Sequence, residues 1–144
     1  MRWYRRRTGY DSAMAQPPAP SVQVFGLVDD QPTRAAIRFF KERRFTIHFV
    51  DLRRKPIAPG ELRRFTDRLG PRAVLDIDGP MAREAGLGAP QLTDAEIIER
   101  LLADGRLLAE GRVLRLPLVR YGNALAAGRD ETAWRAWLAS PRPG

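Results

Sequence analysis

The amino-acid sequence predicts an α/β domain: a four-stranded mixed sheet with flanking helices. Three observations predict it. A strand, a helix and a second strand follow one another between residues 22 and 50, the spacing of a right-handed βαβ unit. Short helical segments then dominate the stretch from residue 59 to about residue 103. The chain closes with a strand, a tight turn, another strand and a helix, a succession in which neighbouring strands pair antiparallel.

Each element has its own local justification. Val22-Gln23-Val24-Phe25-Gly26-Leu27 alternates and is rich in strand formers. Asp29-Asp30-Gln31-Pro32 sets a carboxylate at a helix cap and a proline in the first turn, and the helix is expected to run to about Arg44. Ala36, Ile37 and Phe40 can face a core while Arg38, Lys41 and Glu42 face water. Residues 46–50 read as the second strand. Pro59-Gly60-Glu61 opens a helix with Leu62, Phe65 and Leu69 on one side, closed by Gly70. Ala73-Val74-Leu75 and residues 81–85 read as further helical turns. Thr93 and Glu96 form a capping box, with Leu92 stapled against Ile97, and Ile97, Ile98, Leu101 and Leu102 make the buried stripe of that helix. Residues 113–121 read as a long strand. Gly122-Asn123 suits a two-residue turn into a short strand at 124–127. Asp130 caps a last helix in which Trp134, Trp137 and Leu138 share a face.

The domain is expected to span residues 22–139, with a basic, Pro-rich flexible lead-in at 1–21 and a short tail at 140–144. Met14 is an alternative start to Met1. No signal peptide is read at the N-terminus, and no apolar run reaches the roughly 18 residues of a membrane-spanning helix, so no membrane role and a cytoplasmic location are expected. The net charge is +8, and residues 34–72 carry the whole excess, with twelve Lys or Arg against Glu42, Asp51, Glu61 and Asp67. Such a block either solvates the surface or draws in acidic partners or nucleic acid. The 144 residues contain no cysteine, which excludes thiol and disulfide chemistry by this chain and zinc–thiolate sites with it. No cofactor or metal is expected.

Several segments occur in a telling order: residues 22–36, Phe49-Val50-Asp51-Leu52-Arg53, Thr93-Asp94-Ala95-Glu96-Ile97-Ile98, Leu116-Pro117-Leu118-Val119, and Ala127-Gly128 leading to Trp134. In that order the chain resembles the arsenate reductase (ArsC) family, including its Spx-type regulator branch, over residues 22–139. The resemblance implies a thioredoxin-like fold. It also implies a slot for a nucleophilic cysteine between the first strand and first helix, and that slot falls on Asp30. The second cysteine of a C-x-x-C pair falls on Thr33. The anion-gripping arginine before the proline falls on Leu116, with Arg115 next to it, and the family's Asn-Thr-Arg-Gly reads Asp76-Ile77-Asp78-Gly79. Pro117 falls where the family has a cis-proline, so a cis Leu116–Pro117 bond is expected.

The replacement carries physical meaning. Helix N-terminal N–H groups favour a thiolate. Asp30 is a good cap for those groups, and its charge occupies the place where an arsenate or phosphate would bind. A carboxylate cannot perform disulfide exchange. The reading is a retained scaffold with a dismantled site: a non-catalytic protein that binds a protein partner, for which Spx-type regulators, which bind RNA polymerase, give the precedent of transcription machinery. Candidate binding residues are Arg34, Arg115 and Pro117 near the old site, and Arg53, Arg54, Arg63 and Arg64 in the basic block. Two other readings stand beside it. One is an enzyme with non-thiol chemistry built on Asp30, Thr33, Arg34 and Arg115. The other is a polyanion or nucleic-acid binder acting through charge without sequence readout. Asp29, Asp30, Asp76 and Asp78 read as caps and turns rather than a metal cluster, the lone His48 as structural, and Trp134 and Trp137 as core.

Overall fold

A computed structural model describes residues 19–109 and 111–139. The lead-in over 1–21 lies outside the described residues as far as residue 18, as does the tail at 140–144. Four strands, β1 (Ser21–Gly26), β2 (Thr46–Asp51), β3 (Leu118–Tyr121) and β4 (Ala124–Ala127), form one sheet in the order β2-β1-β3-β4. β1 pairs parallel with β2 from Ser21↔Thr46 to Gly26↔Asp51 and antiparallel with β3 around Val24↔Val119; β3 pairs antiparallel with β4. The helices are α1 (Gln31–Glu42), α2 (Pro59–Leu69), α3 (Pro71–Val74), α4 (Pro80–Glu84), α5 (Asp94–Ala103), α6 (Gly105–Leu108) and α7 (Glu131–Leu138). No helix among the described residues is long and apolar enough to cross a membrane.

The pleat sends alternate residues to two cores. Val22, Val24, Val119, Tyr121 and Ala126 pack with Ala36, Phe39 and Phe40 of α1 and Trp134 of α7. Phe25 and Leu118 pack on the other side with α2 to α6, through Leu62, Phe65, Val74, Ile97 and Leu101. The first core is aromatic. Trp134 is fully buried, its ring 5.4 Å from Phe39 and 5.6 Å from Phe40, and Trp137 lies nearly parallel to Phe40 at 6.2 Å. Contacts of this kind add about 0.5–1.5 kcal/mol each beyond the area they bury, which is what seats an eight-residue helix too short to stand alone. The capping box of α5 is present in both directions, Glu96 N–H to Thr93 Oγ1 at 3.1 Å and Thr93 N–H to Glu96 Oε1 at 2.8 Å, and Leu92 and Ile97 lie in one core. Arg72 ties the approach to α5 back to α3, donating to the carbonyls of Gly88, Ala89 and Leu92.

Four expectations are corrected. The strand over 113–121 keeps its sheet ladder only at 118–121. Upstream, Leu114 makes an isolated bridge to Leu75, with Asp76 N–H bonded to Val113 O and Arg115 N–H to Val74 O, and Pro117 has no N–H to continue a ladder. Leu75 is therefore extended rather than helical. α1 stops at Glu42, and Arg44 turns the chain at φ 63°. Leu138 is 39% exposed and does not share the buried face of α7. The one-turn helix α6, capped by Asp104, has no counterpart among the elements expected from the sequence.

Candidate functional site

The site lies at the carboxyl end of β1, the standard place for a ligand crevice in an open α/β sheet. There the chain turns through Leu27-Val28-Asp29-Asp30 into α1. Asp30 is the N-cap, with extended backbone, and its Oδ2 accepts from Thr33 N–H at 2.9 Å and from the Thr33 hydroxyl at 2.7 Å. Thr33 itself is fully buried, and its Oγ1 accepts from Leu27 N–H at 3.4 Å. It lies directly against Gly26, where a Cβ would collide with its side chain. Thr33 is thus a buried strut under Asp30 and presents no hydroxyl to a ligand.

Opposite Asp30 stands the segment 112–116. The Leu116–Pro117 peptide is cis, and both residues are buried. Arg115 is exposed. Its Nε donates to Ala73 O at 3.1 Å and its stem runs over Gly128, whose φ is 76° and whose N–H donates to both Arg115 O and Pro117 O at 2.9 Å. Asp130 caps α7 through Ala133 N–H at 3.0 Å. Between these walls lies a cleft of about 710 Å³, with Asp30, Asp76 and Asp130 and with Arg112, Arg115 and Arg129 around it and Met81, Leu114 and Leu116 as its apolar lining.

The charges around this cleft are largely spent on one another. Arg112 reaches Asp29 at 3.2 Å, and Arg53 reaches the same carboxylate at 3.1 Å. The Arg53 hydrogen bond, backed by the charges of Arg53 and Arg112, holds the Asp29 carboxyl below its ordinary range. Arg129 pairs with Glu131 at 2.8 Å, and that bond, with help from Arg135, holds Glu131 low as well. The N-termini of α1, α4 and α7 reach the cleft; those of α1 and α7 each carry their own aspartate, which an oxyanion binding there would have to displace, and the five-residue α4 starts after Gly79 with no side-chain cap.

The predicted residues separate into groups. Asp30, Arg115 and Leu116 line the cleft, and Pro117 is buried beside it. Arg34 lies on the outer side of α1, its Nη1 donating to Val28 O at 3.3 Å. Arg53 is drawn to Asp29, and Arg54 is exposed in the turn after β2. Arg63 and Arg64 sit on α2, away from the cleft; Arg64 faces Glu61 at 3.8 Å, which also holds Arg120 at 3.2 Å. His48 is exposed on the edge strand β2, in register with Gln23. Among the described residues no three His, Cys, Asp or Glu side chains group as a metal-ligand set. Sequence reasoning missed Arg112 and Arg129 as cleft residues. Arg112 meets Asp29 across 83 residues, a contact with no local signal.

No family model matches the chain, and no curated protein matches it. Solved structures do. The chain is similar to an arsenate reductase from Vibrio cholerae, with a TM-score of 0.67 and 18% identity over 81% of this chain and 98% of that one. A possible arsenate reductase from Streptococcus mutans matches at TM-score 0.62 and 16% identity, over 82% and 98% of the two chains. An arsenate reductase (ArsC) related protein from Brucella melitensis matches at 0.53 and 19%, over 85% and 98%. Identities this low speak for the fold and leave the chemistry to the residues present. This chain therefore has the thioredoxin-like fold of the arsenate reductase structures, with an aspartate cap at the start of its first helix and no cysteine anywhere in its sequence.

Proposed function

We propose that this protein is a thioredoxin-like, ArsC-related binding protein that performs no thiol chemistry and acts by engaging a protein partner. The observation that carries the reading is Asp30: at the helix start where the family resemblance would place a nucleophile, a carboxylate is hydrogen-bonded as a cap to Thr33. Its charge opposes oxyanion binding, and the hydroxyl nearest to it is buried and donates to it. Resemblance to the Spx-type branch puts transcription machinery first among candidate partners. The test is a pull-down from native extract at low and moderate salt, with a parallel bait carrying Arg53, Arg54, Arg63 and Arg64 changed to Glu. One protein retained at moderate salt supports the reading, and its loss from the second bait assigns the basic block to the contact. Retention of salt-labile nucleic acid alone replaces the reading with a polyanion surface. Tag-independent turnover of arsenate or a disulfide by the purified chain refutes it.

A second reading, an enzyme with non-thiol chemistry, is favoured by one observation: the cleft stays open at about 710 Å³ with Asp30 and Arg115 on its walls. It requires Asp30→Asn to abolish a measurable turnover while leaving the fold intact. The binding reading expects that substitution to change stability slightly and nothing else.

A further inference from the structure

We infer that the outer face of α1 docks an acidic protein segment that carries an apolar anchor. The inference rests on the binding reading above and names the surface and the partner chemistry. Arg34, Arg38 and Lys41 stand at i, i+4 and i+7 and are all exposed, so they form one cationic stripe about 10 Å long on the side of the helix facing away from the sheet. Among the described residues no carboxylate pairs with any of the three. This sets them apart from the neighbouring cations, since Arg53 and Arg112 are engaged at Asp29, Arg129 at Glu131, and Arg43 lies over the Phe39 ring at 3.8 Å. A row of like charges with no internal partner costs a little folding stability and leaves an external one favoured.

The second observation selects the kind of partner. Val28 is 55% exposed, one of two exposed large apolar side chains among the described residues, and it lies at the N-terminal end of the stripe. Arg34 holds it there, its Nη1 donating to Val28 O at 3.3 Å, so the apolar spot and the first cation are fixed side by side. A phosphate backbone can neutralise the cations but offers nothing to cover Val28. An amphipathic segment with carboxylates on one edge and a Leu or Phe beside them covers both, with the aliphatic stems of Arg34 and Arg38 extending the apolar contact.

The experiment uses the full chain and three fluorescent probes in anisotropy titrations. The probes are an amphipathic peptide with a Glu-rich edge and a Leu–Phe anchor, the same peptide with the anchor changed to Ser, and a duplex DNA. The variants are R34E/R38E/K41E, V28S and, as an off-face control on the helices across the sheet, R83E/R100E. All these positions are exposed, and thermal melts establish that each variant folds. The expected result is that the anchored peptide binds, that the triple reversal weakens it about 10- to 100-fold as three exposed charge contacts are lost, and that V28S and removal of the anchor each weaken it roughly fivefold. R83E/R100E leaves it unchanged. No binding of the anchored peptide at low salt overturns the inference, as does equal binding by the triple variant. Tighter binding of the DNA through the same three residues also overturns it, since the stripe would then be a phosphate surface. If the native partner of the pull-down is retained by R34E/R38E/K41E, this inference fails while the binding reading stands; if no partner is retained by the unaltered chain, the binding reading itself fails.

Discussion

Replacing Asp30 with Ala measures how much the cap at the start of α1 contributes to the fold. The substitution removes two hydrogen bonds to one oxygen, from Thr33 N–H at 2.9 Å and the Thr33 hydroxyl at 2.7 Å. Loss of an N-cap carboxylate costs about 1 kcal/mol. The hydroxyl adds more, because Thr33 is fully buried and loses its acceptor; a buried polar group without a partner costs about 1–3 kcal/mol. The expected sum is about 2–4 kcal/mol, a large share of the roughly 5–15 kcal/mol by which domains are stable. Asp30→Asn keeps an acceptor oxygen and loses the favourable interaction with the helix dipole, so it is expected to cost under about 1 kcal/mol. The assay is urea unfolding at neutral pH, read as a shift in midpoint at constant slope. A double-mutant cycle with Thr33→Val isolates the hydroxyl. With that hydroxyl gone, Asp30→Ala should cost at least about 1 kcal/mol less than in the parent. A cost below about 0.5 kcal/mol for Asp30→Ala, or strict additivity in the cycle, would refute the view that Asp30 and Thr33 form one structural unit.

Three further perturbations follow from the same geometry. Arg44 closes α1 at φ 63°, with its N–H bonded to Lys41 O and the Phe45 N–H to Phe40 O, a place where glycine is the unstrained residue; Arg44→Gly should raise stability by about 1 kcal/mol, seen as a melting temperature a few degrees higher. Gly128→Ala meets both a φ of 76° and the Arg115 Cδ at 2.8 Å, so it should cost about 1–2 kcal/mol in urea unfolding and displace Arg115 from Ala73 O, which a crystal structure of the variant would show. Acid should weaken the fold through Asp29, Glu96, Asp104 and Glu131, which are held low by Arg53, by the Thr93 cap, by Arg106 and by Arg129 respectively. Because their folded values lie below the unfolded ones, this stability is fully present above the ordinary carboxylate range near pH 4 and is lost as pH falls through the folded values. These carboxylates are exposed, so moderate salt should flatten the loss; a thermal-melt series in pH with and without salt checks both.

The parts of the fold legible in the sequence were those with strong local physics. The Thr93–Glu96 box, the Asp30 and Asp130 caps and the alternation of residues 22–25 each depend on neighbours within a few positions. The site was legible in one half only. Asp30 reads as a cap from its carboxylate and the proline that follows, whereas its bond to the Thr33 hydroxyl has no such signal. The opposite wall depends on residues 112–116 leaving the sheet to pair with residues 74–76, and on Arg112 crossing to Asp29. Hydrophobic alternation through Val113, Leu114 and Leu116 hides that departure, because a bridge to an isolated segment needs the same extended backbone as a sheet ladder. The basic block is legible in the sequence only as a run of charge; that Arg53 is drawn to Asp29 and Arg64 to Glu61 depends on contacts the run does not encode.

These placements decide where the protein can recognise anything by charge. At the cleft, the N-termini of α1 and α7 are occupied by the chain's own aspartates, and two of the three guanidinium groups are bonded to its own carboxylates. A ligand there gains a contact only by breaking one already made, and the exchange of one hydrogen bond for another returns little free energy. Arg115 is the exception, with its Nε on a carbonyl, and it is a single contact. Along α1 no such exchange is required, since Arg34, Arg38 and Lys41 have no carboxylate to give up among the described residues. Each new ion pair on that face is individually weak. Three of them beside an exposed Val28 add without displacing a carboxylate, and they fall on a helix whose start is held by the Asp30 cap. The Asp30 cap that fixes the start of α1 thereby also holds the element on whose side an acidic partner would sit.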